Sequence, residues 1–443
     1  MTVLAIILLC AQVTVLATIV IRDVFDPSKS ALTMKSLFIA GYILFQPASA
    51  LFTLFTGEVD VVGPDNIGPA ALQFAMMSWA FMTLFLLIYA KSGSAERMAG
   101  RPAPMRRMSP VGLMLCAYSA LIGGIILRDV IGTVPVLGVL TIMLSAGFFA
   151  AAAGSAAWSW AMRPTNVLLA VAGSIAIVGT AAALLQNSFS RRGLIAAIFS
   201  AIWAAYFARW RHGNRAGLVI RALAVAILGL TLVLFQSATR GVKGRGGDVF
   251  EYIEAFVNVD PKALTDAALG MASGQFAGVN SMWLIEAYPR VHAYWPLHSV
   301  WYFVTQPIPR VIWEGKPWSL GNEMVHQVGV TGVKRDEFSL GCGIVGHIEV
   351  DFPYVALPLY AFLIAWALRY LDARCLNYPG NPSIIIPISA ATSQVLGMPR
   401  GELGLFAFNG VAWATGAWLA VTIANRALGR AEFEDSDAVD VAG

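Results

Sequence analysis

Apolar residues run along this chain in blocks of about twenty, from the first positions to about 236 and again from about 352 to 425. Within the blocks the side chains do not alternate every second residue, as the strands of a membrane barrel would. Lipid supplies no partner for a free backbone N–H or C=O, so such runs must close their hydrogen bonds internally as helices. The pattern places spans at about 2–21, 35–55, 69–90, 111–127, 134–153, 166–185, 194–208, 218–236, 352–370, 383–399 and 404–425. The expected fold is therefore an all-α polytopic membrane protein with about eleven transmembrane helices. The first run has neither a positive leading region nor a clear small-residue cleavage site, so it reads as a retained span.

The pattern breaks once at length. The chain divides into N-terminal spans (1–235), a large late loop (236–346), C-terminal spans (347–426) and an acidic tail (427–443) that reads as disordered. The loop is expected to hold short helices. GDVFEYIEAFV and VDPKALTDAALGMA have helical spacing, the second with Asp260 as N-cap and Pro261 in the first turn. Trp283, Tyr288, Tyr294, Trp295, Trp301 and Tyr302 crowd one stretch, as in a segment lying at the headgroup level or in a wall that stacks sugars.

Composition agrees with the pattern. The chain of 443 residues is 58% hydrophobic and 13% charged, against roughly 25% charged in soluble domains. A net charge of +4 gives no ground for a nucleic-acid partner. Lys91, Arg97, Arg101, Arg106 and Arg107, then Arg209, Arg211 and Arg215, then Arg426 and Arg430 all count to one side, the cytoplasmic one by the positive-inside rule. The late loop counts to the other side, as do Arg191 and Arg192. The four cysteines have no CxxC spacing, so neither a metal site nor a disulfide framework is expected.

Three clusters carry candidate chemistry. TRGVKGRGG offers Arg240, Lys243 and Arg245 among glycines that let an anion approach the backbone. IPRVIWEGKPWSLGN offers Arg310, Trp313, Glu314, Lys316 and Trp318 in a loop stiffened by Pro307, Pro309 and Pro317. Cations suit a diphosphate there, and rings suit the apolar face of a sugar. GHIEVDFPY offers His347, Glu349 and Asp351, and MPRGELG offers Arg400 and Glu402. For a glycosyl transfer, Glu349, His347 and Glu402 are the candidate bases. Arg240, Arg245, Arg310, Trp313, Lys316 and Arg400 are the candidate diphosphate or sugar ligands. Walker and HExxH motifs are missing, and the one Asp-x-Asp triplet, Asp435-Ser436-Asp437, lies in the tail. ATP hydrolysis, zinc chemistry and a nucleotide-sugar donor are thus disfavoured, and no metal or other cofactor is expected.

Over about residues 236–425 the chain resembles the bacterial oligosaccharide repeat-unit polymerases, the Wzy-type O-antigen polymerases. IPRVIWEGKP is similar to their periplasmic Pro-Arg, Trp, Lys-Pro segment. SLGCGIVGHIEVDFPYVALPLYAFLIAWALRYLDAR is similar to the stretch that follows it, and MPRGELG to their late Arg-Gly-acid turn. Glu349 departs from the pattern, because it follows Gly-His-Ile and not Gly directly. The resemblance implies a metal-independent membrane glycosyltransferase of the broad GT-C type in the bacterial inner membrane, with its site facing the periplasm. Donor and acceptor would both be undecaprenyl-diphosphate-linked oligosaccharides, with membrane lipids and a chain-length regulator as further partners. The alternatives are an O-antigen ligase that delivers glycan to lipid A-core, and a flippase or transporter of lipid-linked oligosaccharide.

A topology reporter checks the orientation. Fused within residues 250–300 it is expected to report the non-cytoplasmic side, and cytoplasmic activity there would reverse the assignment.

Overall fold

The structure is a computed structural model that describes residues 1–59, 61–102, 108–134, 136–186, 191–239, 254, 257–329 and 338–428. The described residues form helices and turns, with no strand among them. In chain order the helices are α1 (Thr2–Phe25), α2 (Met34–Phe45), α3 (Pro47–Thr56), α4 (Ile67–Lys91), α5 (Gly93–Ala99), α6 (Pro110–Asp129), α7 (Gly138–Met162), α8 (Val167–Gln186), α9 (Arg191–Ala208) and α10 (Arg215–Thr239). The loop region contributes α11 (Pro261–Ala272), α12 (Ala277–Ala287), α13 (His298–Thr305), α14 (Leu320–Gln327) and α15 (Gly343–Val350). Then come α16 (Pro353–Asn377), α17 (Pro382–Ala390), α18 (Thr392–Gly397) and α19 (Leu403–Leu428).

Among the described residues eight helical stretches are long and apolar enough to cross a membrane, and Arg192–Ala208 and Pro382–Gly397 are shorter apolar helices. The chain is an all-α polytopic membrane protein. Helix α10 covers the run expected at 218–236. Of the short helices expected in the loop, the one at VDPKALTDAALGMA is α11, and Asp260 accepts the Lys262 N–H at 2.9 Å as its N-cap. The segment GDVFEYIEAFV lies almost wholly outside the described residues.

The chain forms two compact units that gather segments distant in sequence. One holds residues 1–100, 260–374 and 394–409, and the other holds 101–259, 375–393 and 410–443.

In the first unit a polar thread runs through the apolar spans. The Ser78 hydroxyl donates to Gln12 Oε1 at 2.8 Å and meets the Tyr42 hydroxyl at 2.8 Å. Each group is buried, so each hydrogen bond offsets a desolvation cost of about 1–3 kcal/mol. The span at 34–56 breaks between α2 and α3, where Pro47 can donate no N–H and starts the second piece. The buried Gln46 at the break donates its side-chain amide to the Pro399 carbonyl at 2.7 Å. At its other end α2 is capped from a distance. The buried Asp372 carboxylate accepts the Met34 N–H at 2.6 Å, the Lys35 N–H at 3.1 Å and the Tyr89 hydroxyl at 2.7 Å. A carboxylate at a helix N-terminus satisfies donors that the helix itself cannot.

In the second unit small residues set the packing. Helix α7 is buried almost throughout GFFAAAAGSAAWS. A Cβ on Gly147 would run into the Trp413 carbonyl oxygen and stand 2.7 Å from the Ala417 nitrogen and 3.0 Å from Gly416 Cα. Helix backbones come this close only where side chains are missing, as is common between membrane helices.

That contact gives a stability prediction. Gly147→Leu should destabilise the detergent-solubilised protein by at least about 1–3 kcal/mol, read by thermal denaturation. Gly217→Ala, where no described residue lies within 4 Å of the added methyl, should be neutral or stabilising. Equal behaviour of the two variants would contradict the packing described.

Candidate functional site

The loop residues before α14 form a tight, internally bonded structure. Pro307, Pro309 and Pro317 lack N–H donors, so neighbouring carbonyls have few local partners. Long cations supply them. Arg310 donates Nη1 to the Lys316 carbonyl at 2.7 Å and Nη2 to the Pro317 carbonyl at 2.9 Å. Its guanidinium lies 3.4 Å from the centre of the Trp318 ring, a stacked cation–π contact. The buried Lys316 donates to the carbonyls of Gln306 at 2.9 Å and Ile308 at 3.0 Å. Burial, and then the neighbouring Arg310, hold the Lys316 amine below its usual range. Trp313 is half-buried, edge-on to Trp301 with ring centres 6.4 Å apart, and Glu314 is exposed. Arg310 and Lys316, expected as ligands, are thus first of all builders of their own loop.

The turn before α19 is where the separate pieces meet. The buried Glu402 carboxylate accepts the Gly321 N–H at the first turn of α14, whose N-cap Ser319 accepts from the Asn322 N–H at 3.2 Å. The Arg400 carbonyl accepts the Gly343 N–H at 2.9 Å and the Pro399 carbonyl accepts the Ile344 N–H at 3.1 Å, so this turn also holds the start of α15. The half-buried Arg400 side chain covers Gly341, where an added Cβ would lie 3.5 Å from its Cγ. Gly343 has φ +69°, and a Cβ there would stand 2.5 Å from Gln46 Nε2 and 3.0 Å from the Ala277 carbonyl. Only glycine satisfies both the backbone and the space.

Helix α15 is buried along its whole length and carries the third cluster. His347 Nδ1 meets the Ser299 hydroxyl at 2.7 Å, and His347 Nε2 lies 3.8 Å from Glu402 Oε2. Asp351 accepts the Ser299 N–H at 3.0 Å and the Tyr360 hydroxyl. Glu349 points elsewhere: Oε1 accepts the Tyr294 hydroxyl at 3.4 Å, and Oε2 has no hydrogen-bond partner among the described residues. Burial sets the protonation of these groups. It pushes the Glu349 and Glu402 carboxyls up to about 7 and that of Asp351 up to about 6. Hydrogen bonds to the ionised forms, from Tyr294, from Gly321 and from Ser299, oppose it. Burial also pushes the His347 imidazole down to about 3, with His298 adding to the effect, so this ring stays neutral.

Of the residues expected at the site, Glu402 and His347 come together, and Glu402 joins the end of the Arg310–Lys316 loop through Gly321. Glu349 sits on the same helix with its own partner, and Arg400 contributes its carbonyl. Arg240 and Arg245 lie outside the described residues. Ser299 and Cys342 carry no such expectation, and Tyr294 stands in the aromatic stretch of the sequence but not as the partner of Glu349. Asp351 had one legible signal, its place one helical turn beyond His347 on the same face.

Arg310 supplies a test of the loop. Arg310→Lys keeps the charge but loses the forked donors and the flat stacking face, so proteolytic nicking of residues 306–319 should rise as much as in Arg310→Ala. Wild-type resistance in the lysine variant would show that charge alone matters. Comparison of the chain with protein-family models, with curated proteins and with solved structures found no match.

Proposed function

We propose that the chain is a membrane glycosyltransferase that polymerises undecaprenyl-diphosphate-linked oligosaccharide repeat units at the periplasmic face of the bacterial inner membrane. One observation carries the reading. The three stretches that resemble the repeat-unit polymerases are separate in sequence, yet one compact unit holds them all, and the last bonds directly to the second and to the helix that follows the first. Glu402 of MPRGELG holds the helix that follows IPRVIWEGKP, and the Pro399 and Arg400 carbonyls hold the start of the GHIEVDF helix. A chain that used these segments independently would need no such mutual fastening.

In this reading the non-reducing-end hydroxyl of an acceptor attacks the anomeric carbon of a donor. Its proton passes to the Glu349 carboxylate, whose Oε2 has no hydrogen-bond partner among the described residues and whose Oε1 is steadied by Tyr294. The bond from the anomeric carbon to the phosphate oxygen breaks, and its electron pair leaves with undecaprenyl diphosphate. Arg400 and the cationic loop around Arg310 and Lys316 provide the positive field for that departing charge. Cationic side chains already fixed in place need little reorganisation as the charge develops. His347 and Glu402 then serve to fix the frame, and Glu349 is the residue assigned to proton transfer.

Purified protein supplied only with undecaprenyl-diphosphate-linked repeat units should build a ladder of polymer. Glu349→Gln should slow that reaction by about 10²–10⁴-fold with protein abundance unchanged. A wild-type ladder from the variant would remove Glu349 from the mechanism. Transfer seen only when lipid A-core is added would make the protein a ligase.

A further inference from the structure

Cys342, His347 and Glu402 come from three separate places: the loop before α15, α15 itself and the turn before α19. All three are buried, and one ligand-capable atom of each (Sγ, a ring nitrogen, a carboxylate oxygen) lies within 4.8 Å of the others. His347 is fully buried, and its Nε2 has no hydrogen-bond partner among the described residues. The Glu402 Oε2 atom that it faces is 3.8 Å away, too far for a hydrogen bond. The Gly401 carbonyl is the other polar group against the ring.

The surroundings orient these atoms as an ion would require. An ion would select the tautomer in which Nδ1–H donates to the Ser299 hydroxyl at 2.7 Å, which leaves the lone pair on Nε2 toward Glu402. Glu402 is steadied in the same way, because Oε1 takes the Gly321 N–H and leaves Oε2 toward the histidine. The sulfur of Met324 lies 3.8 Å from Cys342 Sγ and lines the cluster. Tetrahedral zinc, with bonds of about 2.0–2.3 Å, sets its ligand atoms ~3.3–3.8 Å apart. A nitrogen and an oxygen ligand would stand about 3.3–3.5 Å apart, so the histidine–glutamate separation of 3.8 Å needs to close by a few tenths of an ångström and the widest separation by about 1 Å.

We propose that Cys342, His347 and Glu402 form a binding site for one zinc ion, which ties the loop before α15, helix α15 and the turn before α19 together. The charges balance: one thiolate and one carboxylate neutralise a divalent cation, so the loaded site suits a buried position. Binding expels the thiol proton to solvent. His347 stands two residues before Glu349, so the ion would fix the helix turn that presents that carboxylate. The assignment rests on donor geometry alone, so it stands or falls separately from the glycosyl-transfer reading.

The test uses the full-length protein, purified in detergent from zinc-supplemented cells and dialysed. Metal analysis should find about one zinc per chain, falling to background in Cys342→Ser and His347→Gln. Metal-stripped wild-type protein titrated with cobalt(II) should develop a thiolate-to-cobalt charge-transfer band. Background zinc in the wild type together with no such band would overturn the proposal. Because the cobalt spectrum is read on the wild type, it decides the matter even if both variants fail to fold.

Discussion

A buried carboxylate, Glu402, seated on the first turn of α14 is the contact on which the rest of the first unit's loop side depends. A helix of eight residues is too short to be stable alone, and its first N–H groups have no partner within it. Glu402 and Ser319 supply those partners from inside the protein. Because the carboxylate belongs to the turn before a long apolar helix, the α14 region is referred to a rigid element. The same turn lends two carbonyls to α15, so two short helices share one anchor.

The arrangement answers a constraint that membrane proteins face throughout. Short helices and turns expose backbone groups, and an apolar medium leaves them nowhere to go. Several breaks in the described first unit have a side chain assigned to them. Gln46 covers the break in the second span by reaching Pro399, Asp372 caps α2, and Arg310 and Lys316 take up carbonyls in a proline-rich loop. Charged and amide groups placed in this way specify one arrangement, because an alternative would leave them buried without partners. Their number around α13–α15 explains how a non-spanning region, whose backbone is irregular, keeps a defined shape. It also explains why cations that look available in the sequence are in part committed to the backbone.

The spans were legible because a twenty-residue apolar run permits few other structures, and the cap at Asp260 was legible because its signal is local. The break at Gln46 escaped notice, since Pro47 inside an apolar run reads equally well as a kink. The site was legible as three clusters of residues and not as an assembly. Glu402 meets Gly321 across 81 positions and Ser299 meets His347 across 48, and a single sequence carries no signal for such pairs. Cys342 illustrates the limit most plainly. It has no partner at CxxC spacing and reads as an apolar residue, until the fold sets it beside a histidine and a glutamate.

The central claim is that the turn at 399–402 holds two short helices at once, with Glu402 on the first turn of α14 and the Pro399 and Arg400 carbonyls on the start of α15. Hydrogen–deuterium exchange of the detergent-solubilised protein, with peptides resolved by mass spectrometry, measures this directly when wild type is compared with Glu402→Ala. The account predicts faster exchange in both 319–327 and 343–350, with α1 and α4 unchanged. Faster exchange confined to the turn around 398–405 would contradict it.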